Sequence, residues 1–544
     1  MKRVLTFTKE KAFLAVVFAI SVLKYSYYGY SYYPLLDDNN MYGVFRLSKD
    51  IFNGVLLKYK MYTTRPFAVL LDAYLWPKFW NNLGLVLFIM TVLHFVTCIL
   101  IYKTFKLTKL GAGIPMVVIF LLLPFGSDAT YWLAASSRLV AGAFFMSLSF
   151  YILMIYIKKQ EHKNTGNFWL IGLYSLIHLV SLGFYEQIIA LSFFCTIAVF
   201  TLYFKVLRHK WITILPVFNF AVMAFWYKAL GNSGNMAARG QLVKGDFVIH
   251  TKNVIKAVRD VWKNDLVDLY KTSIPNGFKI ILSNNSYAFL ILIIVLGILI
   301  YYIALKENLK TDIKTNIIKF IIGLSIFVIP FLPFFLINLI WICNRNLFIS
   351  FIGLGIMIES VLNAVSKNNI LKNMRALLLG LIVFLFMTAN VYELTYYRRT
   401  GLIDMEITSK ISKIPEIDEG KNLIVLNTRS HYIKSTAKRA GNCTGSNWAL
   451  LGALQAQQNK YIRVRHAFPL PDKAETPIER SILENSVILG IDDRLNIFPL
   501  QIIRTEKNTV YVSRLNGEEF GYLKFKNNQY AEFVSNDMNI YVQK

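Results

Sequence analysis

The sequence predicts an α-helical polytopic membrane protein of about eleven transmembrane helices, followed by a mixed α/β domain outside the cytoplasm. Hydrophobic residues make up 55% of the 544 residues and charged residues only 17%, whereas soluble chains average about 45–50% apolar and about 25% charged. Apolar runs of about 20 residues recur, and each is long enough to cross a hydrocarbon core of roughly 30 Å. The apolar excess therefore requires a solvent other than water.

The net charge of +27 has two explanations, nucleic-acid binding or the Lys/Arg bias of cytoplasmic membrane loops. The lysines cluster in short segments between apolar runs, and the sequence shows neither an arginine-rich stripe nor a glycine-rich phosphate loop. This distribution is typical of a membrane protein and argues against a nucleic-acid partner. The lipid bilayer is the partner that it predicts.

The apolar runs and the basic segments between them predict the topology. Spans are expected at 12–28, 82–102, 111–125, 138–157, 167–182, 186–205, 211–229, 286–305, 316–339, 345–364 and 373–392. The basic N-terminus and the lysines of alternate loops then fall on one side, which the positive-inside rule identifies as the cytoplasm. The 29–80 and 230–285 loops, the other short turns and the tail face outward. We expect Glu359, near the inner end of its span, to pair locally.

Two domains follow from this topology, a membrane domain over 1–394 and an extracytoplasmic mixed α/β domain over 395–544. In the second, Asn422–Asn427 (NLIVLN) is predicted to be a strand. From Ser481 onward short β-like runs alternate with turns, at Asn516-Gly517 and at Asn527-Asn528. We recognise no catalytic motif in this tail.

The first outer loop carries an acidic pair, Asp37-Asp38, about nine residues after the first span. Adjacent carboxylates repel each other, so they suit a general base or a divalent cation such as Mg²⁺ or Mn²⁺. The alternative is an exposed turn, because Asp and Asn favour turns. Arg65, before Pro66, is expected to pair with these carboxylates, hold a phosphate or meet lipid headgroups.

Three further outward turns hold ionisable and aromatic residues. Arg138 and Arg345 each open a span and suit either a phosphate or snorkelling to the interface. Glu186 also starts a span, where a carboxylate is costly unless it faces water or the bundle interior; the alternative is an acid favoured by the helix dipole. Asp128, Tyr131 and Trp132 share one turn, and the two aromatic rings suit either sugar stacking or the interfacial belt.

These ionisable groups collect on one face, while the middles of the spans carry almost no charge. A transporter for polar solutes is expected to place such groups near the bilayer midplane. The pattern instead favours a polar cavity at one membrane surface.

At this point the sequence resembles the GT-C superfamily of membrane glycosyltransferases, which includes protein O-mannosyltransferases and aminoarabinose transferases. That family has an Asp-Glu-x-x-Phe-Gly pattern soon after the first span. Here Asp37–Gly43 (DDNNMYG) is similar, with Asp for Glu and one extra residue before the aromatic-Gly pair. Arg65-Pro66-Phe67 stands where the family often has His-Pro-Pro or Arg-Pro-Pro. A WWD-type motif is not recognisable, which argues against an oligosaccharyltransferase.

The resemblance implies a donor sugar on polyprenyl phosphate and an acceptor such as a cell-surface glycan or polymer. Asp37 or Asp38 would be the general base. Three arginines would neutralise the leaving phosphate, namely Arg345, Arg138 and Arg65. Glu186 and Asp128 would position sugar hydroxyls or the acceptor, and the 230–285 loop with Asn232–Asn235 would be a mobile lid. A metal is compatible with this mechanism but not required.

Two other functions remain open at this level. A polyprenyl-linked glycan polymerase or ligase also uses outer-loop arginines, although these usually lie in a large late loop. A lipid-linked sugar flippase, which is not an enzyme, would not depend on Asp37 or Asp38.

Overall fold

The computed structural model describes residues 2–52, 64–108, 110–111, 113–161, 167–230, 241–307, 312–366, 368–418, 420–428, 442–462 and 464–536. The chain divides into two compact units. The first comprises Met1–Tyr30, Val55–Asp72 and Gly84–Thr395, and the second comprises Ser31–Gly54, Ala73–Leu83 and Tyr396–Lys544. The 29–80 loop therefore contributes to both units.

Helices build the first unit, and the last of them continues into the second. Their bounds are α1 (Lys2–Ser26), α2 (Pro66–Leu70), α3 (Leu83–Leu107), α4 (Ile114–Leu122), α5 (Asp128–Tyr131), α6 (Leu133–Glu161), α7 (Phe168–Leu182), α8 (Glu186–Tyr203), α9 (Ile214–Leu230), α10 (Phe247–Asp268), α11 (Ile274–Ser283), α12 (Tyr287–Leu305), α13 (Ile313–Val328), α14 (Leu332–Leu336), α15 (Ser350–Val365) and α16 (Asn369–Ile411).

In the described residues, eight helical segments are long and apolar enough to cross a membrane. They are Lys9–Ser31, Pro66–Leu107, Leu133–Glu161, Glu186–Tyr203, Lys210–Ala229, Tyr287–Leu305, Ile313–Leu336 and Asn369–Ile411. Two shorter apolar helices accompany them, α7 and α15. The 111–125 segment contains α4, a helix of only nine residues in which every side chain is buried. The protein is therefore a membrane protein, and its helices occupy the predicted apolar runs.

Close helix packing in the first unit relies on glycine. A Cβ on Gly353 of α15 would lie 2.3 Å from the backbone nitrogen of Phe327 and 2.4 Å from the carbonyl oxygen of Gly323 in α13. Gly297 of α12 and Gly380 of α16 face each other in the same way. Lipid tails are as apolar as the side chains, so helices in a membrane associate through close van der Waals packing. Small residues such as glycine let their backbones approach closely.

Buried ion pairs hold α4 in place. Lys319 pairs with Glu359, and Arg375 Nη2 lies 2.6 Å from Glu307 Oε2. The same two carboxylates accept hydrogen bonds from the first turn of α4, Glu307 from the Ile114 nitrogen at 3.1 Å and Glu359 from the Met116 nitrogen at 3.2 Å. Helix-start N–H groups need such partners when water is excluded. Glu359 is paired as expected, but not locally, because Lys319 belongs to α13 and lies 40 positions away in the chain.

In the described residues of the second unit, the strands form one eight-stranded sheet. Its strands are β1 (Asn422–Leu426), β2 (Ala467–Leu470), β3 (Glu475–Pro477), β4 (Ser486–Ile491), β5 (Ile497–Glu506), β6 (Thr509–Arg514), β7 (Glu519–Lys526) and β8 (Tyr530–Ser535), in the order β2-β1-β4-β5-β6-β7-β8-β3. β1 pairs in parallel with both β2 and β4, and the other pairs are antiparallel. The helix α17 (Asn447–Gln458) precedes β2.

Alternating side chains of β1 enter two hydrophobic cores. Leu423 and Val425 pack with α17 and the end of α16, whereas Ile424 and Leu426 pack against the antiparallel strands. This is the period of two that a strand buried on both faces requires. The predicted strand at 422–427 and both predicted turns are confirmed, and Asn527 and Asn528 adopt positive φ angles of 52° and 54° between β7 and β8.

We predict that Glu359→Leu strongly destabilises the protein, because it leaves the Lys319 ammonium buried without its carboxylate. Breaking such a buried pair costs about 3–5 kcal/mol, whereas replacing both partners by apolar residues is often neutral. Thermal unfolding of the purified protein in detergent measures the difference. The double variant Lys319→Met/Glu359→Leu should recover most of the loss, and an unchanged melting temperature in the single variant would contradict the prediction.

Candidate functional site

A pocket in the first unit brings together three residues that the sequence singled out, Arg65, Glu186 and Arg345. Tyr185 completes its polar wall. The rest of the lining, which we call the apolar wall, consists of Pro333, Phe334, Ile337, Leu339 and Trp341. We call this site the arginine pocket. Polar and apolar groups that converge on one concavity are typical of a ligand site.

Arg65 is fixed in the pocket from both sides of its peptide backbone. The hydroxyl of Tyr227 donates to the carbonyl oxygen of Thr64 at 2.5 Å. Pro66 starts α2, and the Phe67 nitrogen donates to the carbonyl oxygen of Gly183 at 3.1 Å. These bonds tie the turn that carries Arg65 to α9 and to the turn before α8.

The Arg65 guanidinium is paired and nearly buried. Its Nε lies 3.2 Å from Glu186 Oε1, its Nη2 lies 3.0 Å from Glu186 Oε2, and it packs 4.3 Å from the centre of the Tyr185 ring. Burial lowers the pKa of Arg65, but the Glu186 carboxylate and the Tyr185 side chain together raise it above its usual value. Arg65 therefore stays charged and rigidly oriented.

Hydrogen bonds also join the start of α8 to the turn that carries Arg345. Asn346 Nδ2 donates to the Tyr185 hydroxyl at 3.2 Å, and Gln187 Nε2 donates to the Asn346 carbonyl oxygen at 2.9 Å. Arg345 lies in the short 3₁₀ helix Asn344–Leu347, with its guanidinium carbon 5.0 Å from the centre of the Trp132 ring.

The charges of the arginine pocket do not cancel. Two guanidinium groups face one carboxylate, so the lining has an excess positive charge. Arg345 is only half-buried, while Glu186 already holds Arg65. Arg is suited to phosphate because its planar donors match the phosphate oxygens. The pocket can therefore bind an anion whose remainder is apolar.

Backbone bonds from the 230–285 loop hold the apolar wall. The Val243 nitrogen donates to the Leu336 carbonyl oxygen at 3.0 Å, and the Asn338 nitrogen donates to the Gln241 carbonyl oxygen at 2.8 Å. His250 Nε2 donates to the Phe334 carbonyl oxygen at 3.0 Å. The predicted lid residues Asn232–Asn235 lie outside the described residues.

The other predicted residues of the first unit lie in buried networks. Arg138 Nε is 3.5 Å from Asp72 Oδ2, and the Ser137 hydroxyl donates to Asp72 Oδ1 at 2.7 Å. The Tyr131 hydroxyl donates to Asn390 Oδ1 at 2.7 Å. None of these five residues lines the arginine pocket.

Asp128 belongs to another polar network of the first unit. Its backbone nitrogen donates to Asn344 Oδ1 at 3.1 Å, and Asn344 Nδ2 donates to Asp265 Oδ2 at 2.5 Å. The side chain of Asp128 is buried. The network links α5 and α10 to the turn that carries Arg345, so Asp128 is positioned to support that turn.

Asp37 and Asp38 lie in the second unit, in unlike surroundings. Asp38 is fully buried, and its Oδ2 accepts hydrogen bonds from the Tyr32 hydroxyl and from the Leu35 nitrogen, the latter at 3.1 Å. Asp37 is half-buried and follows Leu36, whose φ is 35°. Of the two carboxylates, Asp37 is the one that solvent reaches.

The π-helical segment Asn39–Val44 anchors the acidic turn within the second unit. A Cβ on Gly43 would lie 2.5 Å from the Ala456 methyl group of α17 and 2.9 Å from the Trp80 ring. Arg46 donates to the Ala456 carbonyl oxygen at 3.2 Å and stacks 4.9 Å from the centre of the Trp80 ring. The Gly of the DDNNMYG pattern is therefore required by packing.

Within the described ranges, no group of three or more His, Cys, Asp or Glu side chains is arranged to hold a metal ion. A divalent cation at the Asp37-Asp38 pair stays a prediction.

Sequence reasoning did not identify Asp72 and Asn346 as positioning residues. Asp72 had a usable signal, because a carboxylate inside the apolar run at 66–75 is costly unless it finds a partner. Asn346 had no such signal, because an asparagine beside a charged residue in a turn is common.

We predict that Asp38→Ala lowers the free energy of unfolding by about 1–3 kcal/mol, because the Leu35 N–H and the Tyr32 hydroxyl lose a buried acceptor. Asp37→Ala, at a half-exposed position, should stay within about 0.5 kcal/mol of wild type. Thermal unfolding and hydrogen exchange over residues 31–47 measure both variants. Equal losses in the two variants would show that the turn is not arranged in this way.

Two comparisons with known proteins found no similar family or protein. A scan against models of known protein families finds no match, and a search of curated proteins finds none either. The likeness to GT-C glycosyltransferases therefore rests on the DDNNMYG pattern, on Arg65-Pro66-Phe67 and on the predicted architecture.

Proposed function

We propose that this protein is a membrane glycosyltransferase that moves a sugar from a polyprenyl-phosphate donor to an acceptor outside the cytoplasm, such as a cell-surface glycan or polymer. The observation that carries the proposal is the arginine pocket. Its two arginines suit a phosphate, and its apolar wall suits the isoprenoid chain to which that phosphate is attached. A soluble sugar nucleotide would gain little from such a wall.

The two arginines have different parts in the proposed reaction. Arg65, held by Glu186, supplies a fixed charge, and the half-buried Arg345 supplies a second positive charge. Donors that are oriented before the reaction stabilise charge as it develops, usually as the largest single contribution to the rate. Here the charge develops on the phosphate oxygen when the anomeric C–O bond breaks.

The resemblance of DDNNMYG to the GT-C pattern makes Asp37 or Asp38 the proposed general base, and Asp37 is the more accessible carboxylate of that pair. The acceptor hydroxyl gives its proton to Asp37, and its oxygen forms the new bond to the anomeric carbon. The electron pair of the broken bond leaves with polyprenyl phosphate. Glu186, whose side chain is 32% exposed, is proposed to accept hydrogen bonds from sugar hydroxyls. Asp38 is proposed to position the turn rather than to take the proton.

We predict that purified protein in lipid discs transfers or releases sugar from one member of a panel of polyprenyl-monophosphate sugars. Asp37→Asn should lower kcat by about 10²–10⁴-fold with the fold intact, because a general base contributes that much. Product analysis on the acceptor and release of polyprenyl phosphate are the readouts. Glu406→Gln, at an exposed carboxylate of the second unit, is the matched control.

Each other outcome of this assay identifies a different function. Turnover of a pyrophosphate-linked donor alone would favour the polymerase or ligase. Lipid-linked sugar that crosses the bilayer without bond cleavage, and without any effect of Asp37→Asn, would favour the flippase. Either result would overturn the proposal.

We also predict that Arg345→Ala weakens binding of polyprenyl phosphate roughly 10- to 150-fold, since a hydrogen bond to a charged group is worth about 1.5–3 kcal/mol. Arg345→Lys should retain part of the affinity, because it keeps the charge but loses the planar donors. Titration in lipid discs measures the affinity. Arg504→Ala, at an exposed arginine of the second unit, should bind as wild type does.

A further inference from the structure

The helix α10 carries a row of basic side chains on its exposed face. Lys252, Lys256, Arg259 and Lys263 are all exposed, and their spacing of four, three and four residues aligns them along one side of the helix. Asp260, which pairs with Arg259 at 3.1 Å, lies at the edge of this row. The helix has 22 residues and is therefore about 33 Å long.

Exposed apolar side chains flank the basic row on both sides. Val248, Ile255 and Leu266 lie on one side at helical spacing, and Ile249 and Val267 lie on the other. Large aliphatic groups beside lysines are unfavourable in water. They are typical of helices that lie in a membrane interface, where the apolar groups enter the acyl boundary and the lysines extend to the headgroups.

The opposite face of α10 packs against the ends of apolar helices. The Trp262 ring lies 5.3 Å from the Phe327 ring and 5.8 Å from the Phe351 ring. His250 binds the Phe334 carbonyl oxygen in the last turns of the Ile313–Leu336 segment, and Asn344, just before α15, binds Asp265. Both ends of α10 are thus fixed where apolar helices end, which is the level of a membrane surface.

We propose that the exposed face of α10 binds an anionic bilayer surface, with its basic row on lipid phosphates and its flanking apolar side chains in the acyl boundary. Each Lys or Arg near an anionic surface strengthens such binding about fivefold. A soluble polyanion would satisfy the basic row but would leave the flanking aliphatic groups in water. This inference does not depend on the proposed glycosyl transfer.

The test places a fluorophore on α10 in the full-length protein. Ile255→Cys is labelled with bimane after Cys195→Ser and Cys343→Ser remove the partly exposed native thiols. The protein is reconstituted in discs of phosphatidylcholine alone or with added phosphatidylglycerol, each doped with nitroxide lipid. We expect severalfold stronger quenching in the anionic discs, and we expect high salt to reduce it.

A charge-reversed pair supplies the control. Lys256→Glu/Lys263→Glu should abolish the dependence on phosphatidylglycerol, whereas Lys507→Glu/Lys524→Glu, at exposed positions of the second unit, should keep it. Equal quenching in both lipid compositions would overturn the anionic-surface proposal. A bimane response to soluble polyphosphate but not to phosphatidylglycerol would overturn it in favour of a polymer. Neither readout depends on turnover, so both stand whether or not sugar transfer is observed.

Discussion

Hydrocarbon offers no hydrogen-bond partners, and this constraint explains how charge is distributed in the first unit. Lys319 and Glu359 are both buried and form an ion pair. Glu307 pairs with Arg375 and also accepts a hydrogen bond from the first turn of α4. Arg138 and Asp72 form a similar buried pair. A charge buried without a partner would cost several kcal/mol, so a folded chain places its remaining charges where a ligand or water can reach them.

The arginine pocket makes use of this constraint. Glu186 fixes Arg65 in a two-point ion pair, and Asn346 fixes the turn that carries Arg345 to the same helix start. The result is a positive concavity whose groups are oriented before any ligand arrives. Such preorganisation reduces the entropy that side chains lose when a ligand binds. The apolar wall extends the same concavity, which is why a lipid-linked anion suits it better than a free one.

The 29–80 loop has two structural roles. Residues 31–54 and 73–83 belong to the second unit, where the acidic turn packs on α17, and residues 55–72 belong to the first, where Arg65 meets Glu186. A single covalent segment therefore carries the acidic pair in one unit and an arginine of the pocket in the other. Within the second unit the two aspartates differ, since Asp38 is buried in the turn whereas Asp37 is only half-buried.

The sequence by itself determined the apolar helices, the strand at 422–427 and the turn at Asn527-Asn528, because these follow from local composition and backbone preference. It also singled out Arg65, Glu186 and Arg345, which line one pocket, because a charged residue at the end of an apolar run is costly unless it has a partner or faces water. Only the tertiary structure decided which charges meet. Arg138 pairs with Asp72 and Arg65 with Glu186, across 66 and 121 positions of the chain. Ion pairing acts over a few ångströms of space, and sequence spacing does not record that distance.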